Sequence, residues 1–236
     1  MEVKFDPVIT DINGIHSGKT DYLVFQYLLP DLKKAFADHA SGDLIDIGCG
    51  NRPYEWIIKP YITSYKAVDF TQNKLNSVDI ICDAAQVPLP DQSFDTCIST
   101  QVLEHVKDPN AVIAEACRLL KPGGKLIFSV PLYWPVHGEP WDFHRFTRFG
   151  IAELINKNGL RLISLTENGG SWATAGQALA NAFSSSTRRS LFFRSIRFFY
   201  YRLGMIRLTN RLFRWMDKKD FHPEGTMNYV VVAEKK

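Results

Sequence analysis

The amino-acid sequence predicts one doubly wound α/β domain, a mostly parallel sheet covered by helices on both faces. Three observations point to it. Short runs that are apolar at successive positions, as strands buried on both faces require, alternate with stretches of helical period. The first run, Leu44–Ile47, leads straight into a glycine-rich turn, Gly48-Cys49-Gly50. Acids recur at the ends of the runs, at Asp46, Asp69, Asp83 and Asp95. A length of 236 residues suits a single domain spanning 1–236 with an appendage, and 45% hydrophobic against 22% charged residues supplies a sizeable core.

In chain order, residues 1–17 read as irregular, with a turn at Asn13-Gly14. From about Thr20 to His39, Tyr22, Leu23, Phe25, Leu28, Leu32 and Phe36 recur at helical spacing, giving an N-terminal helical cap over 1–40 that Pro30 is expected to kink or interrupt. Leu44–Ile47, Ala67–Val68, Val78–Ile81, Phe94–Ser99, Lys125–Val130 and Leu160–Leu165 read as strands. Asn110–Leu120 is a helix ended by Lys121-Pro122-Gly123-Gly124, and Phe149–Lys157 another ended by Asn158-Gly159. Tyr229–Glu234 is a seventh strand. The stretch before it, 171–224, is too long for a structureless loop and is expected to be a helical insertion.

Cys49, Cys82, Cys97 and Cys117 form no C-x-x-C pair, and three lie in or beside strand runs. Free buried thiols fit a reducing compartment. The N-terminus lacks a basic-then-apolar signal pattern, and no apolar run approaches a transmembrane length. The expected location is the cytoplasm, peripheral to the inner membrane face if the insertion contacts lipid.

A turn from strand to helix points free backbone N–H groups at an anionic or zwitterionic ligand, and glycine allows close approach. One G-x-G is weak by itself. Asp69 ends the second strand about twenty residues on, where an acid can accept hydrogen bonds from ribose hydroxyls. Asp83, beside Ala84, can receive an adenine amino group. Four acids expected in register at successive strand ends and loops make a shared site. A dinucleotide site would need a third glycine where Pro53 stands, which disfavours that alternative.

Leu44–Gly50 (LIDIGCG), Val68-Asp69, Asp83-Ala84 with Pro88-Leu89-Pro90, Phe94-Asp95, Val102–Val106 (VLEHV) and Leu119–Gly124 (LLKPGG) follow one another in this order. The series resembles the successive motifs of class I S-adenosylmethionine-dependent methyltransferases of the type 11-like group. The resemblance covers about residues 40–168 and the last strand. It implies a seven-stranded Rossmann-like sheet of order 3-2-1-4-5-7-6 with the seventh strand antiparallel, and S-adenosylmethionine as cofactor. It places Asp46, Gly48 and Gly50 near the methionine portion, Asp69 and Phe70 at the ribose, Asp83 and Ala84 near adenine, and Thr100 with Gln101 toward the sulfonium.

Methyl transfer to a hydroxyl needs alignment and removal of a proton. Two places offer a base. Glu104-His105 follows strand four; related enzymes carry E-x-x-E-H as a metal site, but Gln101 replaces the first acid, so no metal is expected. His105 reads either as a base or as a cap on the following helix. The loop after strand five holds Tyr133, His137, Glu139, Asp142, His144 and Arg145 within thirteen residues. His137 and His144 are candidate bases, and Tyr133, Glu139, Asp142 and Arg145 candidate substrate contacts; the alternative is that Asp142 and Arg145 pair to hold the loop. Its H-x-E-P-x-D-x-x-R-x-T pattern resembles methyltransferases encoded among bacterial envelope-sugar genes. The expected acceptor is a small molecule, a sugar or a lipid-linked precursor. A non-catalytic, cofactor-binding scaffold at a membrane is the alternative from another class.

Ser171–Met216 contains eight arginines and no acid. Helical spacing puts Arg207, Arg211 and Arg214 on one face and Met205, Leu208, Leu212 and Trp215 on another, the composition of an interfacial helix, and 188–216 is the expected contact with an anionic membrane surface. Two alternatives are a lid packed on its own domain and a nucleic-acid surface; a net charge of only +3 for the whole chain disfavours the latter.

Overall fold

A computed structural model describes residues 16–185 and 190–236. The Asn13-Gly14 turn and Arg188-Arg189 lie outside the described residues. Seven strands form one sheet: β1 (Asp43–Ile47), β2 (Ser64–Asp69), β3 (Ile80–Ile81), β4 (Phe94–Thr100), β5 (Leu120–Pro131), β6 (Leu160–Asn168) and β7 (Asn228–Lys235). Their order is β3-β2-β1-β4-β5-β7-β6. β1 pairs in parallel with both β2 and β4, and β7 runs antiparallel to β5 and β6, as expected. The chain leaves β1 for β2 on one side and returns to β4 on the other. A crevice therefore opens at the carboxyl ends of β1 and β4, where open α/β sheets bind ligands.

The alternation of strand side chains builds a core on each face. Leu126, Phe128, Tyr229 and Val231 face α3 (Pro109–Leu119) and α4 (Arg148–Lys157). Ile127, Val230 and Val232 face α1 (Tyr22–His39) through Leu23, Leu28, Leu32 and Phe36. The Asp108 carboxylate caps α3, accepting from the backbone N–H of Asn110 and Ala111.

Three expectations change. Pro30 does not break α1, which runs unbroken from Tyr22 to His39: the proline sits on the exposed side while the buried leucines and Phe36 hold the helix to the sheet. The third strand shortens to Ile80–Ile81. Lys121–Gly124, read as a loop, belongs to β5, where Leu120 pairs with Phe94 before a shift in register.

The insertion forms three helices, α5 (Ser171–Ser185), α6 (Leu191–Arg202) and α7 (Met205–Lys219). α5 is fixed at its start by the buried Asp217 carboxylate of α7, which accepts from the Gly170 and Ala173 N–H groups. Asn210, also buried, donates to the carbonyls of Ser17 and Lys19. α7 thus turns these two polar side chains inward, while Met205, Leu208, Leu212 and Trp215 are exposed.

Candidate active site

The turn after β1 is fixed by its neighbour strand: Gly48 and Cys49 both donate to the Val68 carbonyl, at 2.9 and 3.1 Å. Gly48 and Gly50 have φ of +78° and +51°, left-handed conformations suited to glycine. Their roles differ. A Cβ on Gly48 would lie 2.4 Å from the Val102 side chain, whereas one on Gly50 would meet nothing within 4 Å. Gly48 is required by packing against the segment after β4, and Gly50 leaves open space for a ligand.

Asp69 closes this turn, accepting from Gly50 N–H at 2.8 Å and Phe70 N–H at 2.7 Å. Asn73 braces it further by donating to the Gly50 carbonyl. Asp46 is 3% exposed; one carboxylate oxygen accepts from the Tyr65 hydroxyl and the other, Oδ1, has no partner. Burial pushes the Asp46 carboxyl up to about 7, opposed by the Tyr65 hydrogen bond. Tyr65 was not foreseen; only the register, which sets Leu44 beside Tyr65 and Asp46 beside Ala67, puts both side chains on one face. Phe70 and Ile81 are 64% and 59% exposed, apolar surfaces beside Asp69 and Asp83. Asp83 is exposed and accepts from Ala85 N–H, with Ala84 partly buried between.

An orphaned buried acceptor, an open glycine and two uncovered apolar side chains near the exposed Asp83 match a ligand with a cationic amine, a ribose and an adenine ring. The residues present therefore fit S-adenosylmethionine. Asp95 is a correction to the sequence reading of four acids in one site. It sits at the opposite, amino end of β4, where it accepts from Asp43 N–H and pairs with Lys121 at 2.8 Å. Thr100 ends β4, and Gln101 follows with φ +56°, its amide donating to the Ser129 hydroxyl at 3.1 Å.

Beyond β4, a short 3-10 turn over Leu103–His105 meets the loop after β5. The Glu104 carbonyl accepts from the Phe143 and His144 N–H groups, tying the loop down. His105 and His137 come together with ring centroids 4.6 Å apart. His105 Nδ1 lies 2.8 Å from the Trp141 carbonyl and His137 Nδ1 lies 3.2 Å from the Pro135 carbonyl. A carbonyl can only accept, so each Nδ1 carries a proton, and the neutral His137 ring holds its lone pair on Nε2. Burial, then the neighbouring His105, holds His137 below the usual imidazole value.

Beside them Glu104 is fully buried, and neither of its carboxylate oxygens has a partner. Burial pushes it up to about 8. Glu104, His105 and His137 each offer a ligand atom within 4.8 Å of the others, so this group could hold a metal ion. His137, thirty-two residues beyond His105, joins this group only through the path of the loop.

The remaining predicted residues separate. Asp142 makes a two-pronged pair with Arg145, at 2.6 and 2.8 Å, and accepts from His137 N–H at 3.0 Å. Arg145 spends its other donors on the carbonyls of Trp134, Pro135 and His144. This is the loop-holding alternative: the pair positions His137, and its polar atoms are taken up within the loop. His144 Nε2 faces the Lys107 carbonyl at 3.3 Å and its ring lies against Phe143 and Phe146, apart from the histidine pair. Glu139 is exposed before Pro140, and Tyr133 is partly buried, its N–H on the Met227 carbonyl.

Comparison with known proteins agrees with this geometry. Residues 45–128 match the profile of the family described as Methyltransferase domain. Among curated proteins, the malonyl-[acyl-carrier protein] O-methyltransferase of Buchnera aphidicola subsp. Baizongia pistaciae is 31% identical over 113 residues, 44% of either chain. The ubiquinone biosynthesis O-methyltransferase of Coxiella burnetii is 26% identical over 152 residues, 52% of this chain and 65% of the relative. The chain thus spans less than two thirds of the length of these relatives. Among solved structures, the geranyl diphosphate C-methyltransferase of Streptomyces coelicolor A3(2) superposes with a TM-score of 0.55 at 13% identity, covering 98% of this chain and 89% of that one, a likeness of fold. Over residues 45–128 the chain thus resembles the methyltransferase-domain family, and its sheet order is that of the class I fold, with a glycine–acid turn that fits S-adenosylmethionine.

Proposed function

We propose that the protein transfers a methyl group from S-adenosylmethionine to an oxygen of a small-molecule, sugar or lipid-linked acceptor at a membrane surface. The observation that carries this is the pairing of His105 and His137, both with Nδ1 turned to a carbonyl, at the carboxyl end of β4. S-adenosylmethionine, when bound, supplies an already activated methyl group, so the protein needs no nucleophile of its own. Its residues have two tasks. Gly50, Asp46 and Asp69 hold the cofactor. His137, kept neutral by burial, takes the acceptor hydroxyl proton on Nε2, with His105 beside it and the Asp142–Arg145 pair fixing the loop.

Oxygen as the acceptor atom is supported by the two relatives named as O-methyltransferases. The alternative of a non-catalytic scaffold leaves the neutral His137 without a task. The test is turnover of the full chain with a panel of hydroxylated glycan and lipid precursors, for His105→Ala and His137→Ala. Loss of turnover with unchanged S-adenosylmethionine affinity is expected. Full turnover by both variants sinks the base assignment.

A further inference from the structure

The exposed apolar residues of the insertion and its arginines have no role in the site described above. Ten of the twenty large hydrophobic side chains exposed among the described residues lie between Leu191 and Trp215. A lid would bury this stripe on its own domain; here α7 docks through Ile206, Asn210, Phe213 and Asp217 and leaves Leu208 and Trp215 66% and 58% exposed. Where α6 meets α7, a cavity of about 910 Å³ is lined by Arg194, Arg197, Arg202 and Arg207 together with Phe198 and Leu203. None of the four guanidiniums has an ion pair among the described residues. Four arginines lining one opening without a carboxylate give it a positive potential that draws in an anion.

We infer that the α6–α7 cavity binds the phosphate of an anionic phospholipid headgroup while the flanking aromatic and aliphatic side chains enter the hydrocarbon boundary. The inference rests on the membrane-surface part of the proposed function and not on methyl transfer. Three features of the surface select this occupant. Arginine forks match phosphate oxygens in a two-pronged way. Aliphatic Leu203, Leu208 and Leu212 suit acyl chains and gain nothing from a nucleic acid, whose bases need flat rings. A second copy docked by two-fold symmetry through this face would bring its own arginines against these, since Ser171–Met216 has eight and no acid.

The experiment is co-sedimentation of the full chain with vesicles of phosphatidylcholine alone or mixed with phosphatidylglycerol. Binding to the mixed vesicles only, weakened by salt, is expected. Each arginine near an anionic surface is worth about 1 kcal/mol, about fivefold, so Arg197→Gln/Arg207→Gln should bind roughly thirtyfold more weakly. Phe198→Ser/Leu208→Ser should weaken binding even to strongly anionic vesicles. All these side chains are exposed, so S-adenosylmethionine affinity should be unchanged in every variant, which separates failure here from failure of the cofactor reading. The inference is overturned if the chain ignores vesicles, or binds both kinds equally. Wild-type vesicle binding by the arginine variant overturns it too, as does saturation of the cavity by inorganic pyrophosphate or single-stranded nucleic acid without any vesicle binding.

Discussion

Replacing Glu104 with glutamine should stabilise the protein, increasingly so as the pH rises. The Glu104 carboxyl is fully buried without a partner and is pushed from 4.5 to about 8. At pH 7 it is protonated in the folded protein and ionised in the unfolded chain, which therefore binds fewer protons. Stability contributed by the wild-type residue is greatest below pH 4.5 and falls as the pH rises toward 8. Glutamine keeps the shape and the neutrality but cannot ionise on unfolding. At about 1.4 kcal/mol for each pH unit above 4.5, the gain from Glu104→Gln is about 1 kcal/mol at pH 5 and about 3 kcal/mol at pH 7, as an upper value. Urea unfolding of both proteins at the two pH values measures it. A gain that does not grow with pH, or a loss at pH 7, would refute the reasoning: Glu104 would then be a carboxylate in the folded state, held by a protonated histidine or by a cation in the Glu104–His105–His137 group. Addition of magnesium or EDTA to the same samples tells these two apart.

Three further outcomes follow from the same geometry. Because burial lowers the His137 imidazole, kcat/KM should reach its plateau with a midpoint below pH 6.5 and fall tenfold per pH unit beneath it; a midpoint above 7 removes His137 as the base. Asp69→Ala leaves the Gly50 and Phe70 N–H groups without their acceptor and should weaken S-adenosylmethionine binding at least tenfold by calorimetry, from about 1.5–3 kcal/mol per charged hydrogen bond; unchanged affinity would place the ribose elsewhere. Gly176→Ala drives a Cβ to 2.5 Å from Phe213 and 2.9 Å from Leu23, an overpacking cost of about 1–3 kcal/mol that outweighs the helix-propensity gain, so Tm should drop by several degrees. A Tm equal to or above wild type would mean that α5, α7 and α1 do not pack as described.

The fold was legible because its signals are local. Strand runs, the glycine turn and the acids at strand ends are each set by a few neighbouring residues, and the motif order carried the sheet order with it. The glycine–acid turn is local in the same way: Gly48 and Gly50 follow β1 and Asp69 ends the neighbouring β2. Asp95 was misgrouped: it opens the fourth strand run, and in a parallel sheet the amino ends lie at the edge opposite the carboxyl-end crevice. Pro30 misled because its cost is local while the burial of Leu28, Leu32 and Phe36 that outweighs it is tertiary.

The histidine pair belongs wholly to the tertiary structure. His105 and His137 stand thirty-two residues apart in sequence, and the loop is folded onto Glu104 by backbone hydrogen bonds that leave no composition signal. The same holds for the division of labour in that loop, where Asp142 and Arg145 turn to each other and His144 to Lys107. In the insertion, sequence alone fixed the two faces of α7, since helical period dictates which residues share a side. The apolar face is left exposed because a third side turns inward: Ile206, Asn210 and Asp217 are buried, and the partners of the two polar ones, at Ser17, Lys19, Gly170 and Ala173, come from distant parts of the chain. Periodicity sorts side chains into faces; only packing against the rest of the chain decides which face meets the interior.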